Sequence, residues 1–594
     1  MKRTGIFLLA VSLFACVHGP LEAQKNAPAD SLDTFVREQM ARRRIPGLSL
    51  AIIQDGQIVA ARGYGVVDES TRAPVTPATL FQAGSISKPV SALGALHLVE
   101  AGLLSLDDDV NLKLTGWKIP DNRFTATEKV TLRRILSHSA GMTVHGFPGY
   151  DADSDMPPLV KVLAGEAPAN TPAILVDTVP GSLWRYSGGG FTVMQQMIVD
   201  VTGIPFPRFM RETVLEPIGM TNSSYEQPQP PARAARTAGG FSSDRKPVHG
   251  RWHLYPEMAA AGLWTTPTDL ARFAIEIQQT LAGRGHGVIS PGMARQYLTV
   301  QKEPSGLGIF VGGTGDTLNF SHNGRDEGFD AYLVAFARTG QGAAIMINAN
   351  DDSRCVGRIL DFIGRVYNWP AFRDPSGPPR AVRAVRLDPA WLAHCAGYFE
   401  AQENQMITLV PGETGTGLET WVDGFPDEIF AAIDSVHFAS TDRGMGVTVR
   451  LDSRGGVEGL LWKPGNAPSE RTSPRVSPLP SSASGAPDPD PMLTGRVTAA
   501  LNAIRGGGPA LQDAPDIAPN TRKDFANRPP AELNGLGTLT WLGSEHVADR
   551  GIHRHGSDIA LVEFYKVTTG AGPRYLLVHL TAAGSVADFD VVDR

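Results

Sequence analysis

Cysteine is scarce in this sequence, with three in 594 residues. That excludes a disulfide-stapled scaffold, and the wide spacing of the three supports no zinc site. No His-Glu-x-x-His occurs, so the zinc-protease helix is absent as well. Positive charge is not in excess: 54 Lys plus Arg stand against 61 Asp plus Glu, a net charge of −7. Without a dense basic run, nucleic acid is not an expected partner. Long apolar runs are missing too. Beyond the N-terminus no segment approaches the roughly 18 uninterrupted apolar residues of a transmembrane helix. Nothing calls for a metal or other cofactor. What is present is enough hydrophobic residue, 42% of 594 positions, to build two or three cores.

The chain opens Met1-Lys2-Arg3, continues with an apolar stretch from Ile6 to Val17, and reaches Leu21-Glu22-Ala23 before Gln24. This is the pattern of a secretory signal, residues 1–23, cleaved after Ala23. A lipoprotein signal acylated at Cys16 is the rival reading, which the bulky Phe14 disfavours. The expected location is therefore secreted or periplasmic, with a lipid anchor through Cys16 as the alternative. Only Cys355 and Cys395 would then remain, and one disulfide between them is open.

A first helix is expected from Asp30 to Arg44, capped by Asp30. Leu48 to Gln54 and Gln57 to Ala61 flank Asp55-Gly56, a two-residue hairpin turn. From Ser85 to Thr280 the pattern is mainly helical, including Leu132 to Ser137, Val193 to Val201 and Thr268 to Gln278. Strands return at Gly306 to Val311, Ala331 to Phe336 and Ala343 to Ile347, and a helix follows from Arg354 to Tyr367. Strands at both ends enclosing helices imply an α+β domain, residues 24–370: one antiparallel sheet flanked by terminal helices, with a helical region inserted. Proline-rich Trp369 to Arg383 reads as a linker. Residues 385–465 alternate short apolar runs with turns, as in a small all-β, barrel-like (lipocalin-like) domain. A Pro/Ser-rich linker, 466–492, leads to a C-terminal α+β module, 493–594, which opens with a helix at Leu493 to Ile504.

The chemistry concentrates in Gly84-Ser85-Ile86-Ser87-Lys88, ahead of an apolar helical run. One helical turn brings an amine beside a hydroxyl. A serine is a weak nucleophile until a neighbour removes its proton and amides receive the oxyanion. Pro89 places Ser85 at the helix start, where backbone N–H groups lack helical partners. A second Ser-x-x-Lys, Ser243 to Lys246, sits in a polar stretch and reads as a solvated loop.

Two further segments complete the set: Tyr186-Ser187-Gly188 on a glycine-rich loop before a helix, and Ser321-His322-Asn323-Gly324-Arg325 at the head of an expected strand. Together with the Ser85 turn they resemble the three motifs of the serine β-lactamase and penicillin-binding protein superfamily. Order and spacing are similar to its class C branch, which includes esterases and D-peptidases. Leu136 to Met142, Leu215 to Met220 and Ala261 to Thr266 extend the resemblance, which covers Asp30 to Asn368. It implies a β-lactamase-like sheet, Ser85 as nucleophile, Lys88 as its proton acceptor and Tyr186 as a second acid/base group. Tyr186 would act as a base only if a cation such as Lys88 lowered its pKa. His322 takes the place of the third-motif lysine, the N–H groups of Ser85 and Arg325 the oxyanion hole, and Gly324 the close approach of strand to substrate.

Two departures shift the expected activity. Gly188 stands where the family's tyrosine motif ends in asparagine, and His322 replaces a permanent cation. Both favour an esterase or D-amino-acid peptidase acting on small esters or D-amino-acid peptides. A β-lactamase or D,D-carboxypeptidase is the alternative, and a catalytically inactive cell-wall binding or regulatory protein is the alternative of another class. Peptidoglycan is a candidate partner in each case.

Plainer roles stand beside these. Ser85 could merely cap its helix, Tyr186 pack under its loop and His322 orient a strand. His138 is expected to cap a helix end or complement its charge. His553 and His555 would share one side of a strand as exposed residues, and Trp462 and Trp541 are expected in cores.

Overall fold

The computed structural model describes residues 21–592 apart from 373–382, 403–404, 413–414, 423–424, 441–444, 464–469, 479–486, 527–529, 531–532 and 570–571. Residues 1–20 of the expected signal, with Cys16, and most of the first expected linker lie outside the described residues. The chain divides into two compact units, one up to Arg373 and one from Asp374.

In the first unit an antiparallel sheet runs in the order Gln57–Gly65, Gly47–Gln54, Gly342–Ile347, Phe329–Phe336, Asn319–Asp326, Phe310–Gly312. Asp55 and Gly56 both have positive φ, 52° and 70°, which matches the twist of the hairpin they join. The period of two is visible along Gly47–Gln54. Leu48, Leu50 and Ile52 join a core with Leu32, Val36 and Ile359 of the two terminal helices, Leu21–Arg43 and Arg354–Val366. Ala51 and Ile53 instead face the inserted helices, with Leu93, Ala274 and Ile277. The result is three layers, with the helical region entering between the second and third strands in sequence.

Three local expectations change. The first helix starts at Leu21, so Asp30 lies inside it rather than capping it. The expected strand at Gly306 to Val311 is confined to Phe310–Gly312. The His322 segment does not precede a strand; it is one, Asn319–Asp326, which pairs with Phe329–Phe336 around Glu327 and Gly328.

The second unit contains a closed barrel of eight antiparallel strands from Gly397–Gln402 to Arg471–Pro478, each paired with its sequence neighbours. Its core unites Phe399, Leu409, Leu418, Phe430 and Leu460 with Leu392 and Cys395 of the helix Pro389–Cys395. Arg471–Pro478 was expected to be linker, yet it closes the barrel by pairing with both Val457–Lys463 and Gly397–Gln402. A four-stranded antiparallel sheet follows, in the order Thr540–His546, Leu561–Thr569, Gly572–Leu580, Val586–Val592. One core joins that sheet to the helix Pro491–Gly506, and another joins it to the barrel residues Tyr398 and Val476. Trp462 and Trp541 are half-buried at core edges, their indole N–H groups donating to Ser473 Oγ at 2.8 Å and Glu563 Oε2 at 2.7 Å. Cys355 and Cys395 are buried free thiols. No helix among the described residues is long and apolar enough to cross a membrane.

Candidate active site

Ser85 sits in the single turn Gly84–Ile86 that runs straight into the helix Ser87–Glu100. The Ser87 hydroxyl fixes this entry, donating to Gly84 O at 2.6 Å and accepting from Leu263 N–H at 2.9 Å. Gly84 has φ +50°, and a Cβ there would lie 2.4 Å from Arg325 N. A Cβ at Gly324 would lie 1.9 Å from Ala83 O and 3.1 Å from Ser85 N. Only glycine at both positions lets the strand Asn319–Asp326 lie directly against the nucleophile turn. That approach brings the backbone of Arg325 beside Ser85.

Lys88 is 2% exposed, and its Nζ donates to Ser85 Oγ and to Ala260 O, both at 2.9 Å. Its amine also lies 4.9 Å from the centre of the Tyr186 ring and 5.8 Å from that of Phe191. Burial in this largely apolar box disfavours the ammonium and pushes its pKa from 10.5 down to about 7, with Asp326 opposing. Relative to a lysine in water such a fall is about 5 kcal/mol, and it leaves ammonium and free amine in about equal amounts near pH 7. Lys88 is thus a lysine suited to accept a proton at neutral pH.

Tyr186 precedes the helix Gly188–Thr202, whose start is capped by Ser187 Oγ accepting from Gly190 N–H at 3.1 Å. Its hydroxyl is buried and closes no hydrogen bond among the described residues. Burial pushes the phenol well above its usual range; Ser85 is near enough to oppose the shift. The condition for Tyr186 to act as a base, a cation that lowers its pKa, is not met by Lys88, whose amine lies over the ring 4.9 Å from its centre. Tyr186 is a protonated phenol and therefore a proton donor.

His138 follows the helix Leu132–Leu136 and does not complement its charge. Its ring is buried 4.3 Å from that of Tyr186, and its Nδ1 accepts from Ser187 N–H at 3.2 Å. Burial, with Lys88 and His322 nearby, holds it well below the usual histidine pKa, so it supports the Tyr186 loop as a neutral ring.

His322 is 1% exposed, stacked on Phe310 at 4.7 Å and 6.2 Å from the Tyr186 ring. Burial and Lys88 push its pKa down to about 3, so it is no cation. The Arg325 guanidinium turns to Asp330, with bonds of 2.9 and 3.2 Å. At Gly188 an added Cβ would meet Phe147 Cε2 at 2.8 Å and His145 O at 3.0 Å, so neighbouring groups fill the space a side chain there would need. Ser243 and Lys246 of the second Ser-x-x-Lys are exposed, and Lys246 pairs with Asp244 at 2.7 Å. His553 pairs with Asp558, while His555 occupies a turn with φ +42° between Asp524 and Asp588. The two do not share one side of a strand.

Two acids escaped the sequence reading. Asp326 is buried with Gly84 N–H at its carboxyl and Oδ2 without a partner among the described residues; burial pushes it well above the carboxylate range, against Lys88. Glu257 is 0% exposed, and neither of its side-chain oxygens finds a hydrogen-bond partner among the described residues. Burial raises it to about 8. It opens the short helix Met258–Ala261, which supplies Ala260 O to Lys88. The only sequence signal was a lone acid at the head of the apolar stretch Met258 to Leu263.

A serine and a lysine one helical turn apart, facing a loop tyrosine beside an antiparallel sheet, define a site of the serine β-lactamase and penicillin-binding type. The chain belongs to the Beta-lactamase family, whose model matches residues 32–364. It is 22% identical over 338 residues to Protein flp of Staphylococcus aureus (strain MRSA252), covering 55% of this chain and 64% of that relative. A candidate penicillin-binding protein of Bacillus subtilis (strain 168), PbpX, is 23% identical over 328 residues, 53% of this chain and 74% of its own. Among solved structures, the octameric penicillin-binding protein homologue from Pyrococcus abyssi matches 75% of this chain and 99% of its own at TM-score 0.51 and 20% identity. That last likeness is one of fold.

Proposed function

We propose that this protein is an exported serine hydrolase that cleaves ester or amide bonds through an acyl-enzyme at Ser85, with small esters or D-amino-acid peptides as substrates. One observation carries the reading: the Lys88 amine stands 2.9 Å from Ser85 Oγ with its pKa near 7. As Ser85 Oγ bonds to the carbonyl carbon, its proton passes to the free amine of Lys88. The backbone N–H groups of Ser85 and Arg325 are assigned to the oxyanion. The leaving group takes the phenol proton of Tyr186. Water then attacks the acyl carbon and gives its proton to the Tyr186 phenolate, while the Lys88 ammonium returns its proton to Ser85 Oγ as the acyl group leaves. Export rests on the N-terminal sequence, and peptidoglycan fragments are the natural source of D-amino-acid peptides there.

Fluorophosphonate labelling of the native protein, lost in Ser85→Ala, is the expected result. Equal labelling of both proteins overturns the proposal. A panel of nitrophenyl esters, D-alanyl peptides and a chromogenic cephalosporin should rank the cephalosporin last, because Gly188 carries no amide and His322 no charge. Peptidoglycan binding with neither labelling nor turnover would instead identify an inactive binding protein. Since the free amine is the active form, kcat/KM should fall as pH drops through about 7.

A further inference from the structure

We propose that Gln195 is a positioning residue for the Ser85 chemistry: its side-chain amide clamps residues 256–259 so that the Ala260 carbonyl meets the Lys88 amine. The helix behind Tyr186 thereby sets the proton acceptor. The inference rests on the hydrolase reading above and adds a residue to it.

Gln195 lies on the helix Gly188–Thr202, one turn beyond Phe191, so the two side chains leave the same face. Phe191 forms part of the box around the Lys88 amine. Gln195 is 3% exposed and commits both ends of its amide to one backbone segment. Its Nε2 donates to Pro256 O at 2.9 Å, and its Oε1 accepts from Ala259 N–H at 2.9 Å. A carbonyl can only accept and an N–H can only donate, so these partners admit one orientation of the amide.

The clamped segment needs outside support. Met258–Ala261 is a single helical turn, too short to hold itself in water. Ala260 and Ala261 N–H donate to Glu257 O, both at 2.9 Å, but Ala259 N–H is one of the first-turn donors that a helix leaves unsatisfied. The side chain of Glu257, at the cap position, supplies no capping bond, and Gln195 supplies one from another helix. Ser91 Oγ donates to Ala259 O at 3.0 Å, and Ser87 Oγ holds Leu263 at the far end. The next carbonyl, Ala260 O, accepts from Lys88 Nζ. Gly188 has no side chain to offer that amine, so Ala260 O is the backbone group that orients it. A free amine has two N–H bonds and one lone pair. Because Ala260 O takes an N–H, the lone pair is kept from that direction and stays available to the Ser85 hydroxyl, 2.9 Å away.

Gln195→Met, which keeps the bulk and removes both hydrogen bonds, tests this in the full-length protein with a nitrophenyl ester. Its kcat should fall about thirtyfold while KM stays within about twofold, as for a displaced general base. The acid limb of kcat/KM, at about pH 7 in the native protein, should move down by about half a pH unit, because an ammonium that loses the Ala260 carbonyl is less favoured. Tyr186, His138, His322 and Asp326 also face the amine but stand outside the clamped segment, whereas Glu257 lies within it. The shift should therefore persist when Glu257→Gln is added. Gln195→Glu should restore activity at low pH only. Its protonated acid can donate to Pro256 O and accept from Ala259 N–H, whereas its carboxylate cannot donate. The kcat of that variant relative to the native protein should fall about tenfold between about pH 6.5 and about pH 9. A native kcat in Gln195→Met, a fall in kcat with the acid limb unmoved, or a shift that vanishes with Glu257→Gln overturns this proposal alone. So does a constant ratio for Gln195→Glu, which decides the matter if Gln195→Met does not fold. No ester turnover and no fluorophosphonate labelling of Ser85 in the native protein overturns the hydrolase reading and this one with it.

Discussion

The second unit and the site around Ser85 in the first bury charge in opposite ways. In the second, Arg554 is fully buried with Glu400, Asp588 and Asp590 at 3.6–3.8 Å, and His579 Nε2 lies 2.8 Å from Asp590. Burial alone would raise Asp590, yet His579 and Arg554 hold it below the usual carboxylate range. In the first, around Ser85, burial outweighs the attraction between Lys88 and Asp326: Lys88 falls, while Glu257 and Asp326 rise. Paired charges fix a structure, whereas unpaired ones are driven toward neutrality. A free amine beside a hydroxyl is the arrangement the proposed acyl-enzyme chemistry needs, and it is found in the region where burial outweighs charge pairing.

The largest effect that sharpens this contrast is expected at Lys88. Lys88→Met should cut ester turnover by about a thousandfold or more, since the proton acceptor is gone. It should also stabilise the fold, with a definite pH sign. A base whose folded pKa lies below its unfolded 10.5 costs most where both states are charged, below about 7, and nothing once both are neutral. Thermal unfolding should therefore show a gain of about 2–4 kcal/mol at pH 6 that fades toward pH 10.5. A loss of stability at pH 6 would count against an unpaired amine.

Next comes Arg554→Ala, which removes the cation shared by Glu400, Asp588 and Asp590 and should cost the second unit about 3–5 kcal/mol in denaturant unfolding. A cost under about 1 kcal/mol would erase the distinction between the units. Glu257→Gln should do the reverse. An acid whose folded pKa, about 8, exceeds its unfolded 4.5 loses stability as pH rises between those values. The variant should thus gain about 2 kcal/mol at pH 8.5 and nothing at pH 4.5. An equal change at both pH values would show a packing effect only. Smallest is Gly188→Asn, whose side chain must displace Phe147 and should cost about 1–2 kcal/mol by calorimetry without conferring cephalosporin turnover. A neutral or stabilising result would mean that the space is open.

Much of this was legible in sequence wherever the cause is local. Asp55-Gly56 carries its turn in two residues. Ser85, Lys88 and Pro89 carry theirs in five, and Ser187 announces the helix behind Tyr186. Legibility ended where partners are distant. Arg471–Pro478, with two prolines and two serines, has the composition of a loop, and only its pairing with Gly397–Gln402 makes it the strand that closes a barrel. His138 and Glu257 looked like a helix end and a solitary acid until the packing around each was known.

The sequence by itself determined which groups could react: a hydroxyl and an amine one helical turn apart, a phenol on a glycine-rich loop, an imidazole where a cation was expected. Only the tertiary structure decided their proton states. Ala260, Tyr186 and Phe191 close over Lys88 and leave it near neutrality, the same burial keeps Tyr186 a phenol, and Asn323 O directs the lone pair of His322 away from the strand's own carbonyl. The physical reason is that desolvation depends on every atom packed around a group, and those atoms come from segments far apart in the chain.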